Sequence, residues 1–274
     1  MTVLCKTHSD EFKKYLNKVK ALPSHPTNQN GLMPLANKTV ATYLNTTEDS
    51  SDYQRHKTRH NRNDLRKLTQ TATKANIEYI CAAILAWGGM TVPNFKSLFG
   101  SDHKSEWLSV ALEIKNGNPS RQSAFAKFSN LRAKKMIPGM GPAYFTKLIY
   151  FLMPEGKMGE AYILDQWAGW SINTLFNDDI VLLNTSHTWT WKKSGQFPVM
   201  KPSKLVSDMN TAENYEAFCK KVDELITELG SRAKMDGISP SDLIDRTFMF
   251  EKGGSGKTWR DYLIHIERNA RPKK

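Results

Sequence analysis

The sequence predicts a mainly α-helical fold. Three observations predict it. Apolar residues recur at helical spacing through most of the chain, Pro and Gly stand where those runs start and stop, and no alternation of strand and helix patterns is visible. With 274 residues, 39% of them hydrophobic, the chain can bury one large core or two modest ones. No run reaches the ~18–20 apolar residues of a membrane span. The start, Met-Thr-Val-Leu-Cys-Lys-Thr-His, lacks the apolar stretch of a signal peptide, so a cytoplasmic setting is expected. Cys5, Cys81 and Cys219 cannot all pair with one another and fit no zinc spacing; no metal and no cofactor are expected.

Each element follows from its own residues. Phe12, Tyr15, Leu16, Val19 and Leu22, with lysines between them, predict an amphipathic helix stopped by Pro23. Residues 23–63 are polar and carry several prolines, which predicts a long irregular connection. From Asp64 the pattern turns helical, and Ile77–Trp87 is apolar nearly all round, a core helix ended by Gly88-Gly89. Helices are expected at 105–115, at 120–135 with Ser120 as cap, and at Pro142–Leu152 with its proline in the first turn. Residues 177–210 read as loop or short strands, 211–230 as a helix ended by Gly230, and 242–250 and 258–269 as short terminal helices. The expected organisation is an N-terminal helix and basic irregular segment (1–63), a core (64–176) and a C-terminal part completing the fold (177–274).

The charge narrows the partners. The chain carries 39 Lys and Arg against 27 Asp and Glu, a net +12. Such a surplus favours phosphate-bearing partners, because each cation near a nucleic-acid backbone releases a condensed counterion. Arg55, Lys57 and Arg59 lie in one basic cluster, and Lys134 and Lys135 in another directly before a glycine-rich turn. No basic amphipathic helix with an aromatic anchor accompanies them, so nucleic acid is preferred to a membrane surface.

The most specific stretch is Arg132-Ala-Lys-Lys-Met-Ile-Pro-Gly-Met-Gly-Pro-Ala-Tyr-Phe-Thr-Lys-Leu-Ile-Tyr-Phe-Leu152. One helix ends, Ile137–Gly141 turns tightly, and another helix begins at once. Gly139 and Gly141 permit positive φ and close backbone approach, and the turn's amides favour an anion. Downstream, Tyr162-Ile-Leu-Asp-Gln-Trp-Ala-Gly-Trp170 sets Asp165 among large apolar neighbours, where a carboxylate must be paired, hydrogen-bonded or used. A helix cap is the plain reading of Asp165, and it does not exclude a second role. Glu251–Thr258 has the look of a phosphate-binding loop, but Glu251 stands where that pattern needs glycine.

The turn resembles a helix-hairpin-helix element. Together with the downstream Asp it resembles the helix-hairpin-helix DNA glycosylase superfamily, in its 8-oxoguanine glycosylase branch. The phrases Leu85-Ala-Trp-Gly-Gly-Met90 and Gly141-Pro-Ala-Tyr-Phe-Thr-Lys-Leu-Ile-Tyr-Phe151 are similar to a bacterial anti-phage subgroup that removes glucosylated hydroxymethylcytosine. The resemblance covers about residues 70–176. It implies two helical subdomains flanking a cleft, a monomer, and duplex DNA carrying a modified base as partner. The base would be flipped from the stack and its N-glycosidic bond broken.

The resemblance implies Asp165 as the catalytic carboxylate. Gly139, Met140 and Gly141 would hold DNA; Lys134, Lys135, Arg55, Lys57 and Arg59 are the further DNA-binding candidates, on their charge. Family members that also cleave the strand carry a lysine just after the hairpin. Ala143 occupies that position, and Lys147 lies one turn further on with a side chain leaning back toward it, so lyase activity is left open. Candidate substrate-binding residues are Trp87, Tyr144, Tyr162, Gln166, Trp167 and Trp170: aromatics to stack on a base, Gln to read its polar edge. Trp87, because the paired glycines behind it open space, and Trp167 stand out among them. The competing readings are an 8-oxoguanine repair glycosylase with lyase activity, a non-catalytic helix-hairpin-helix DNA-binding protein, and a helical protein whose basicity is incidental.

Overall fold

Ile77–Trp87 is apolar on nearly every side because it has almost no solvent face: all but Glu78 and Tyr79 of its eleven residues are buried. The computed structural model describes residues 3–21, 60–154, 160–190, 199–250 and 257–269. The fold is mainly helical, as the periodicity predicts. Arg55, Lys57 and Arg59 lie outside the described residues. The chain divides into two compact units that are not consecutive blocks: residues 24–163 with 211–216, and residues 1–23 with 164–210 and 217–274.

In the first unit, helices α2 (Arg62–Gln70), α3 (Ile77–Trp87), α4 (Val92–Phe99), α5 (Lys104–Lys115), α6 (Arg121–Ala133) and α7 (Pro142–Leu152) follow one another; α1 (Lys6–Ala21) belongs to the other unit. Helix α2 starts in a capping box, in which Asn61 accepts from the Asp64 amide and Asp64 from the Asn61 amide. Ser120 caps α6 by accepting from the Ser123 amide at 3.1 Å. Helix α7 is central and packs against α2, α3, α5 and α6. Its Phe145, Leu148 and Ile149 join Ile80, Ile84, Phe95, Leu98, Trp107, Phe125 and Phe128 in a fully buried core, each large side chain contributing about 1.5–3 kcal/mol on burial. Arg121 forks onto Glu216, with Nε–Oε2 at 2.8 Å and Nη2–Oε1 at 3.0 Å, and donates to the Glu160 carbonyl. Buried this far, the pair is held by geometry and by the extra carbonyl rather than by charge alone.

The second unit joins α1 (Lys6–Ala21) to α8 (Gln166–Phe176), strands β1 (Leu183–Thr190) and β2 (Val199–Val206), most of α9 (Ala212–Leu229), α10 (Pro240–Met249) and α11 (Trp259–Asn269). The Cys5 amide donates to the Leu175 carbonyl at 2.7 Å, and α1 packs on α10, with Phe12 edge-on to Trp259. Buried Trp259 donates to the Ser171 hydroxyl, which in turn donates to the Trp167 carbonyl. Strands β1 and β2 pair antiparallel from Leu183↔Val206 to Thr190↔Val199. The region expected to be loop or short strands therefore holds two eight-residue strands. Pro202 lies within β2 opposite His187, where proline is tolerated because each strand of a two-stranded sheet is an edge.

Candidate active site

The hairpin is built by backbone geometry. Helix α6 ends in a left-handed residue, Lys135 at φ +61°, whose amide donates to Arg132 O while the Met136 amide donates to Leu131 O, each at 2.9 Å. Ile137 and Met140 are fully buried and pin the turn to the core. Gly139 sits at φ +73°, and a Cβ there would stand 2.7 Å from Asn94 Cβ and 3.0 Å from Asn94 Cα. Glycine is therefore required twice, by dihedral and by contact. Helix α7 opens on Gly141 with no side-chain cap. No acceptor among the described residues takes the amides of Gly139, Gly141 or Ala143. Met140 is buried and its amide donates to the Ile137 carbonyl at 3.2 Å, a correction to its expected contact with DNA, while Lys134 and Lys135 nearby are exposed.

In the same unit Lys147 is buried, with its Nζ donating to the Ala143 carbonyl at 2.9 Å and standing 5.2 Å from the Tyr144 ring centroid. The side chain leans back one turn, bringing its amine to the residue that follows the hairpin. Tyr144 donates to the Gly89 carbonyl at 3.1 Å, and burial pushes its phenol up from the usual tyrosine value. The space expected behind Trp87 is not open. The Lys147 stem fills it, lying against Gly88. Trp87 itself is buried, edge-on to Phe151 and faced by the Arg62 guanidinium at 5.3 Å. Arg62 and Arg66 both donate to the Tyr150 hydroxyl, so this part of the basic stretch is internal structure. Burial also pushes the Cys81 thiol up, which suits an inert core residue.

In the other unit Asp165 caps α8. Its Oδ1 accepts from the amides of Trp167 and Ala168, both at 2.9 Å, and the residue is 7% exposed. Oδ2 has no partner among the described residues. Trp167 stacks on Trp170 with centroids 5.7 Å apart and planes at 13°. Arg260 covers Trp167 at 4.5 Å, and Lys204, paired with Glu267, covers Trp170 at 4.8 Å. Gln166, in the orientation that satisfies both ends of its amide, donates to Lys204 O and accepts from Trp167 Nε1. Its polar edge is engaged within the fold, which corrects the expectation of a free reader. Tyr162, in the first unit, and Trp170 are core residues. Trp167 is the half-buried member of the stacked pair.

Sequence reasoning missed Arg260 and Lys204, which carry no local signal tying them to tryptophans far away in the chain. It also missed Asn94, which sits beneath Gly139. Among the described residues no group of His, Cys, Asp and Glu is arranged to hold a metal ion, and no helix is long and apolar enough to cross a membrane.

A helical scaffold thus carries a glycine turn with open amides between two helices, and a capping carboxylate in a following aromatic stretch, the arrangement expected of a helix-hairpin-helix protein. The model of a family described as “Putative 8-oxoguanine DNA glycosylase OGG-like protein” matches residues 25–247, and the chain belongs to that family. The family implies a DNA glycosylase with DNA as its substrate. No curated protein and no solved structure matches the chain.

Proposed function

We propose that the protein flips a modified base out of duplex DNA and hydrolyses its N-glycosidic bond, leaving an abasic site. The observation that carries this reading is Asp165: the N-terminal amides of α8 hold one carboxylate oxygen, and the other has no partner among the described residues. A carboxylate oriented in this way, brought near C1′, stabilises the oxocarbenium-like sugar as the base departs and positions the attacking water. The open amides of the hairpin take a DNA phosphate, with Lys134 and Lys135 beside them. Trp167, the half-buried member of the stacked pair, is the aromatic we assign to the extruded base, which would take the place of the Arg260 guanidinium over its ring.

Glucosylated hydroxymethylcytosine in phage DNA is the substrate we propose, on the likeness of the helix-end and post-hairpin phrases to the anti-phage subgroup. 8-oxoguanine is the second reading, favoured by the description of the family. We further assign Lys147 to the abasic product, because its amine lies at the Ala143 carbonyl, one turn back toward the hairpin.

Single-turnover excision by wild type and Asp165→Asn tests all three assignments. The substrates are glucosylated phage DNA and an 8-oxoguanine duplex, each with and without alkali. Abasic sites from phage DNA alone, absent with the variant, support a defence glycosylase, and product from 8-oxoguanine supports repair. Strand breaks without alkali support Lys147, and tight binding with no product from either substrate leaves a DNA-binding protein without activity.

A further inference from the structure

Gly88 is a glycine that its own backbone does not require. It ends α3 at φ −70°, ψ −4°, an ordinary right-handed conformation open to any residue. Gly89 at +87° and Gly139 at +73° are different, since both lie where side chains are strained. At the C-terminus of a buried helix, alanine in place of Gly88 would stabilise the chain by restricting its unfolded state, so the absence of a side chain calls for another cause.

That cause is Lys147. A Cβ on Gly88 would stand 2.5 Å from Lys147 Cδ and 3.2 Å from its Cε. The lysine stem lies against the bare face of Gly88, and from there Nζ donates to the Ala143 carbonyl at 2.9 Å and stands 5.2 Å from the Tyr144 ring centroid. The next residue completes the seat, because the Gly89 carbonyl holds the Tyr144 hydroxyl at 3.1 Å. We infer that the Gly88-Gly89 turn is a positioning device for the Lys147 amine, with Gly88 clearing the path of the stem and Gly89 fixing the ring beside the amine.

The inference rests on the assignment of Lys147 to the abasic product. The chemistry balances as follows. The neutral amine attacks the C1′ aldehyde of the ring-opened abasic sugar, a C–N bond forms as the carbonyl π bond breaks, and loss of one water leaves an imine. Added borohydride supplies the hydride that reduces the imine to a stable secondary amine, which joins protein to DNA. A nucleophile displaced by an ångström or more loses on the order of a hundred-fold in rate. A methyl group at position 88, 2.5 Å from Cδ, pushes the stem and the amine it carries aside, because the lysine side chain can shift and the helix cannot.

The test uses the full chain, a duplex with one abasic site, and borohydride, with the covalent adduct read on a denaturing gel. Wild type should form the adduct and Lys147→Ala should not. Gly88→Ala should form it about a hundred-fold more slowly, at a melting temperature equal to or above wild type, and the midpoint of its trapping rate against pH should move as the amine changes surroundings. With the stem removed, Gly88→Ala/Lys147→Ala should melt above Lys147→Ala, the space being vacant. An adduct at the wild-type rate with Gly88→Ala overturns the inference and leaves the Lys147 assignment standing. A lowered melting temperature with a uniform loss at every pH marks a merely structural glycine and also overturns it. No adduct with wild type removes the Lys147 assignment itself, and the inference with it.

Discussion

Helices α7 and α8 are both eleven residues long, and neither carries an acid in its first turn, yet they begin in opposite ways. Helix α8 brings its own anion: Asp165 caps two amides at 2.9 Å. Helix α7 begins on Gly141 and brings none. A helix N-terminus carries a partial positive charge and unpaired donors, so it takes a carboxylate from its own chain or an anion from outside. In the proposed function the capped end orients a catalytic carboxylate, and the open end receives a DNA phosphate. The difference lies in one side chain at one position of each helix.

The comparison can be broken most severely at Asp165. Asn caps a helix about as well as Asp, so Asp165→Asn should melt within a few degrees of wild type. It should lose on the order of 10²–10³ in single-turnover excision, the usual scale of an electrostatic transition-state contact. Excision within a few-fold of wild type would reduce Asp165 to a cap. Gly139→Ala comes next. Positive φ and the 2.7 Å approach to Asn94 Cβ should together cost about 2 kcal/mol or more of unfolding free energy, measured by denaturant. Asn94→Ala should not rescue it, because the close contacts include Cβ and Cα.

Gly141→Asp would make α7 resemble α8. A carboxylate at that position should add about 1 kcal/mol of stability and weaken abasic-duplex binding roughly ten-fold, as the new cap occupies the amides and repels phosphate. Unchanged binding would show that the open amides are idle. In the same titrations, Lys134→Ala and Lys135→Ala should each reduce the slope of log affinity against log salt by up to about 0.9. The smallest effect concerns pH. Burial holds the His60 imidazole below its ordinary value of 6.5, with Asp64 opposing. The unfolded chain therefore takes up the proton first, and stability is complete above pH 6.5 and falls as pH drops through the folded-state value. His60→Gln should flatten that decline in a melting series from pH 7.5 to about 5. His8, less buried in the other unit, should contribute less.

Much of this was legible locally. The proline that opens α7, the Ser120 cap, the glycines of the hairpin and the Asp165 cap are short-range signals: the caps satisfy amides two or three residues on, and proline and glycine set their own backbone dihedrals. The aromatic expectations fared differently. Trp87, Tyr162 and Trp170 are buried, and a tryptophan wanted for a core has the same sequence signature as one wanted for a base. The glycine pair after Trp87 predicts open space, and that space is filled by a lysine from a helix well downstream.

The sequence by itself determined that the chain is helical, where most of its helices begin and end, and that a glycine turn and a capping Asp stand in the order of a helix-hairpin-helix glycosylase. These properties follow from hydrophobic period, caps and turn dihedrals, which act over a few residues. Only the tertiary structure decided that α1 packs with the C-terminal helices, that Leu183–Thr190 finds its partner strand, that Arg260 and Lys204 cover a tryptophan pair, and that Lys147 lies on Gly88. Each of these depends on which distant side chain fills a given space, and packing of that kind leaves no periodic trace in the sequence.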